Sequence, residues 1–85
     1  MEKKLLKMKN ITALEKLFIT LVLEYEDLSL PCQLTSQEFA TELGVSRKSI
    51  LDAIAKLEEI DYIQCRVVAP HRTTRITQRL YTLID

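Results

Sequence analysis

The one glycine in this chain, Gly44, most constrains what it can fold into. It lies between two helix signals. Upstream, Thr35-Ser36-Gln37-Glu38 has capping-box spacing, with Leu34 and Phe39 placed as a hydrophobic staple. Phe39, Ala40 and Leu43 then supply an apolar face, and Gly44 stands where that helix must stop. A left-handed helix terminus favours the residue without a Cβ. Downstream, Ser46 is placed to cap the next helix, in which Ala53 joins an i, i+4, i+7 stripe of Ile50, Ile54 and Leu57. That helix runs to about Ile60-Asp61. Two short helices joined by one sharp turn are therefore the fixed point of the fold.

An earlier helix is expected from about Thr12 to Tyr25. Thr12 and Glu15 have capping-box spacing, with Asn10 a competing cap. Ile11, Leu14, Phe18, Leu21, Val22 and Tyr25 recur at three- and four-residue spacing. Leu17, Ile19 and Leu23 fall outside that stripe and form a candidate partner interface. Residues 1–9 hold four lysines and read as a basic lead-in, either disordered or a ragged first turn. Residues 26–34 read as a connection, since Pro31 opposes continuing the helix; Leu28, Leu30 and Leu34 are available to pack or to enter a short strand.

After Tyr62 the apolar period shortens to two. Ile63, Cys65 and Val67 alternate with their neighbours, as in a strand. Residues 69–74 read as a loop and residues 75–84 as a second strand. Ile76, Leu80 and Ile84 lie on one face of it and Tyr81 and Leu83 on the other, which suggests a bulge.

In this order the segments resemble a known family. The run from Thr35-Ser36-Gln37-Glu38-Phe39-Ala40 through Leu43-Gly44-Val45-Ser46-Arg47-Lys48-Ser49-Ile50 to Leu57-Glu58-Glu59-Ile60-Asp61-Tyr62-Ile63 is similar to winged helix-turn-helix DNA-binding domains. Ile11 to Leu17 resembles the first helix of the version found in bacterial, phage and plasmid replication and regulatory proteins. The resemblance spans roughly residues 10–83. It implies one mainly α domain with a small β-hairpin (α+β), three helices plus a C-terminal wing. It also implies a recognition helix over residues 46–60 entering the major groove, and a wing over 62–84 along the backbone or in the minor groove. The candidate DNA contacts are then Ser46, Arg47, Lys48, Ser49 and Asp52 on the helix. On the wing they are Arg66, His71, Arg72, Thr73, Arg75 and Arg79.

Composition limits the other classes. Twelve Lys+Arg balance twelve Asp+Glu. By segment the charge is +3 over residues 1–9, −5 over 10–45, −1 over 46–61 and +3 over 62–85. Neutrality is a cancellation, which excludes a uniformly basic binder but not a polar one. With no Trp and five aromatics, a base-stacking platform is not expected. One histidine and two cysteines, Cys32 and Cys65, are too few for a zinc site, and reduced thiols are expected. No histidine–acid pair stands ready to activate a serine, so neither an enzyme nor a cofactor is expected. No signal-type apolar stretch follows Met1 to Lys4, and the 11–25 segment is too polar to span a bilayer, so a cytoplasmic location is expected.

The functional expectation is a small non-enzymatic DNA-binding protein, a transcriptional regulator or a replication accessory factor of a mobile element. Double-stranded DNA is the expected partner, with single-stranded DNA as a variant. A homodimer or membership of a larger complex is expected, because a lone small module contacts few phosphates. The alternative is a protein-interaction subunit that docks on, or inhibits, a polymerase, primase or nuclease. It draws on Leu51, Asp52 and Ala55, which share the exposed face of the third helix.

Overall fold

The computed structural model describes residues 3–68 and 71–84. In chain order its elements are α1 (Lys3–Lys7), α2 (Ala13–Asp27), α3 (Ser36–Leu43), α4 (Arg47–Glu59), β1 (Ile63–Val68), β2 (His71–Ile76) and α5 (Gln78–Ile84). The architecture is α+β, with five helices and one antiparallel hairpin among the described residues.

Local chemistry starts each central helix. The Glu15 N–H donates to Thr12 Oγ1 and the Thr12 N–H to Glu15 Oε1, closing the capping box of α2. Thr35 and Glu38 repeat the arrangement at α3. Ser46 caps α4 by accepting from the Ser49 N–H. Gly44 ends α3 at φ +69°, and a Cβ there would meet nothing within 4 Å. Its requirement for glycine is thus one of backbone strain alone, of roughly 1–2 kcal/mol for an L-residue.

The core joins all the elements. Phe18 of α2 and Phe39 of α3 are fully buried with ring centroids 4.4 Å apart. Ile50, Ile54 and Leu57 of α4 close over them, with Ile63 and Ile76 from the hairpin. The radius of gyration is 12.0 Å, the value expected for one compact unit of this length.

Several expectations are corrected. Residues 1–9 are not only a basic lead-in: α1 buries Leu5 completely and packs against α5. Asn10 is not a cap, and its Nδ2 donates to the Tyr62 hydroxyl instead. Ile19 belongs to the core and is unavailable to a partner, and Leu23 is half-buried against the same core. The buried stripe of α2 is Glu15, Phe18, Ile19 and Val22, so an acid sits on its inward face. Lys56 Nζ, 3.0 Å from Glu15 Oε1, neutralises that acid. Leu28 and Leu30 do not pack; they are 69% and 52% exposed. Instead it is Cys32 that enters the sheet, by an isolated bridge to Thr74.

The largest correction concerns residues 71–84. The second strand begins at His71 and ends at Ile76, and the chain then turns into a helix. Thr77 causes the change. Its hydroxyl accepts from the Leu80 N–H and its carbonyl from the Tyr81 N–H, which starts a helix. That hydroxyl also donates to the Asp61 carbonyl, tying α5 to the end of α4. Ile76, Leu80 and Ile84 are buried together at four-residue spacing, so no bulge is needed. The hairpin is therefore internal, and Arg79 lies on α5 instead of the wing. The loop expected at residues 69–74 is strand from His71 onward; Ala69 and Pro70 lie outside the described residues.

Candidate nucleic-acid interface

The turn at Gly44–Ser46 joins the end of α3 to the start of α4, and the first turns of the two helices line one cleft. Val45, within that turn, is half-buried against the core. The hairpin then brings β2 alongside. Antiparallel pairing of Gln64 with Arg75, Cys65 with Thr74, Arg66 with Thr73 and Val67 with Arg72 decides which way each side chain faces, because paired residues share a face. Thr74 and Ile76 are buried, so Arg72 lies on the same, inward side of β2. Thr73 and Arg75 lie on the opposite side, together with Gln64 and Arg66.

Arg72 is held there. Its Nη1 donates to Ser36 Oγ at 2.8 Å, across 36 residues of chain, and Ser36 is buried. A guanidinium has five N–H donors, so four remain. Around this contact lies an open cleft of about 290 Å³ lined by Thr35, Ser36, Gln37, Arg47, Leu51 and Arg72. The Glu38 N–H is taken by the Thr35 hydroxyl, but those of Ser36 and Gln37 have no intrahelical acceptor to reach, and together with the helix dipole they favour an anion at this end. Two arginines from separate elements thus flank a helix N-terminus in one concavity.

The other expected contacts fall into three groups. Lys48 does not line the cleft, and its Nζ is 3.0 Å from Asp52 Oδ2. Both side chains are largely exposed, so the pair contributes little to stability. It does lower the net charge of that face of α4. Ser46 and Ser49 are engaged with each other at the cap, their hydroxyls 2.9 Å apart. Arg66, Thr73 and Arg75 line a separate cleft of about 290 Å³ with Gln64 on the outer face of the hairpin. His71 is exposed where β2 opens. The expected wing arginines are therefore divided between two faces and α5, and only Arg72 joins Arg47. Thr35, Ser36 and Gln37 were legible only as capping residues. The signal that they line a site was the capping box itself, which marks an exposed helix start.

The cysteines offer no chemistry at this site. Cys32 and Cys65 flank Thr74 from its two sides, and strands two apart are separated by roughly 9–10 Å, too far for a disulfide. Both thiols are free, and desolvation pushes both above the ordinary thiol range. The Thr74 hydroxyl partly offsets this at Cys65. Among the described residues no three His, Cys, Asp or Glu side chains cluster as metal ligands, and no helix is long and apolar enough to cross a membrane.

Comparison with known proteins adds no family: no protein-family model and no curated protein matches the chain.

Proposed function

We propose that α3, its turn, α4 and the hairpin form a winged helix-turn-helix, and that the chain is a non-enzymatic DNA-binding protein. The carrying observation is the cleft that gathers Arg47, Arg72 and the start of α3. On docking, the N–H groups of α3 and the free N–H groups of Arg72 take one phosphate. The start of α4 then points into the major groove, where Arg47 donates to a guanine edge or to the neighbouring phosphate. The hairpin runs along the backbone, with Arg66 and Arg75 on its far face available to the flanking duplex. Such a module serves as a transcriptional regulator or as a replication accessory.

A salt series with duplex DNA tests this. Affinity should fall steeply with salt, and Arg47→Ala or Arg72→Ala should weaken binding across all salt concentrations. Absence of binding at the lowest salt would overturn the proposal. One observation favours a second reading. Lys48 is neutralised by Asp52, and Leu51 is half-buried in the same cleft beside exposed Ala55. An apolar contact for a protein partner fits that face. Ala55→Glu, exposed and outside the lining of the cleft, should then abolish partner capture, with duplex affinity as a separate readout.

A further inference from the structure

The side of the molecule where α2 and α3 end has a different chemistry. A groove of about 400 Å³ is lined there by Leu21, Glu24, Tyr25, Leu28, Leu30 and Glu42. Its apolar part is exposed: Leu28 is 69% and Leu30 52% accessible. Two helix C-termini meet at it. Carboxylates at a helix C-terminus oppose the helix dipole, and lysine or arginine usually stands there. Neither α2 nor α3 has a basic residue in its last turn. Glu24 lies near the end of α2 and Glu42 at the end of α3, and both are exposed. The groove thus couples an apolar floor to a negative rim that costs the two helices stability. Its occupant has to bring positive charge together with an apolar side chain.

That requirement excludes two occupants. A nucleic acid would be repelled by the glutamates. A second copy seated groove to groove would set Glu24 and Glu42 against their own counterparts. The opposite end of the molecule carries the complement. On α1, Leu6 is 53% exposed, Lys7 is next to it in the chain, and Lys9 lies just beyond the helix, both lysines exposed. The Leu6 carbonyl accepts from Lys16 Nζ at 2.7 Å, which fixes this end of α1 beside the start of α2. From Lys16 to Leu28 the helix advances about 18 Å at 1.5 Å per residue. One copy cannot close the contact on itself. Among the described residues two other exposed apolar side chains lie near arginines: Val67, 68% exposed, whose arginines face the proposed duplex, and Leu83, 45% exposed and one turn after Arg79 on α5, which offers a single cation to two glutamates.

We propose that the groove at the ends of α2 and α3 receives the Leu6–Lys9 end of α1 from a second copy of the chain. The association is head-to-tail: Leu6 enters between Leu28 and Leu30, and Lys7 and Lys9 face Glu24 and Glu42. Such a contact is heterologous, so a pair keeps one face of each kind free for the next copy. Self-association of this kind is independent of DNA binding.

Measurement of solution mass by sedimentation equilibrium tests it. The mass of the parent chain should rise with concentration in low salt, and high salt should return it to one chain. Leu6→Glu and Leu28→Glu change exposed residues, and each variant alone should remain a single chain with an unchanged circular dichroism spectrum. Mixed in equal amounts, they should form a two-chain species and nothing larger, because each retains the face the other has lost. Val67→Glu should associate like the parent. A parent that stays a single chain at its solubility limit in low salt would overturn the proposal. So would a mixture that fails to pair, or loss of association in Val67→Glu.

Discussion

The two ends of α3 stand in contrasting surroundings. At its start, hydroxyl side chains, open N–H groups and two arginines from other elements surround a cleft. At its end, two glutamates and exposed leucines surround another. Only eight residues separate them. The helix dipole favours an anion at the first end and a cation at the second, so each surface adds to the field already present. The zero net charge of the chain conceals this. The proposed duplex and the proposed second copy would therefore not compete for one surface.

The largest expected effect concerns the positive end. Replacing both Arg47 and Arg72 by Glu should lower duplex affinity by a hundredfold or more, on the order of 1–3 kcal/mol per lost contact plus repulsion. Titration of a labelled duplex measures it. Glu24→Gln with Glu42→Gln should leave that affinity unchanged; a comparable loss would erase the contrast between the ends.

Next in size is the cap. Thr35→Ala removes the acceptor for the Glu38 N–H and should cost about 1 kcal/mol in urea unfolding. Because Thr35 also lines the positive cleft, duplex affinity should fall with it.

Glu42→Lys has a smaller effect, with opposite signs in two assays. A cation at the end of α3 should raise stability by about 0.3–1 kcal/mol. The same change should weaken head-to-tail association. If stability rises and association is untouched, the acidic rim has no part in self-contact.

The smallest is Asp52→Asn. It frees Lys48 and removes a charge that opposes phosphate, so duplex affinity should rise a few-fold, within the ~1 kcal/mol typical of exposed pairs. An unchanged affinity would place Lys48 outside the duplex contact.

How much of the fold was legible in the sequence depended on the range of each interaction. The caps at Thr12, Thr35 and Ser46 and the stop at Gly44 depend on residues three or four positions apart, and all were readable. The buried face of α2 was not, because Glu15 is inward only by virtue of Lys56, 41 residues away. Residues 71–84 failed for another reason. Ile76, Leu80 and Ile84 lie on one face at a period of two and on one face of a helix alike. Thr77, as a cap three residues before Leu80, was the local signal that decides between them. Placing β2 four residues late also concealed the division of the arginines. Which face Arg72 takes is set by its pairing with Val67, and that register is a tertiary fact. Leu28, Leu30 and Leu34 were all open to packing or to a short strand; Leu34 packs against the core, Leu28 and Leu30 stay exposed, and it is Cys32 that bridges to the sheet.

The bond from Arg72 to Ser36 has a consequence for the thermodynamics of binding. An arginine on a free hairpin samples many rotamers and surrenders that freedom on binding, a loss of about 0.5–1.5 kcal/mol for a long side chain. Here the guanidinium is already parked on a buried hydroxyl, and the hairpin that bears it is leashed to α3. The ordering has been done during folding. For the ligand proposed at the cleft, that one guanidinium would be in place beforehand, and less of the attraction would be lost to entropy.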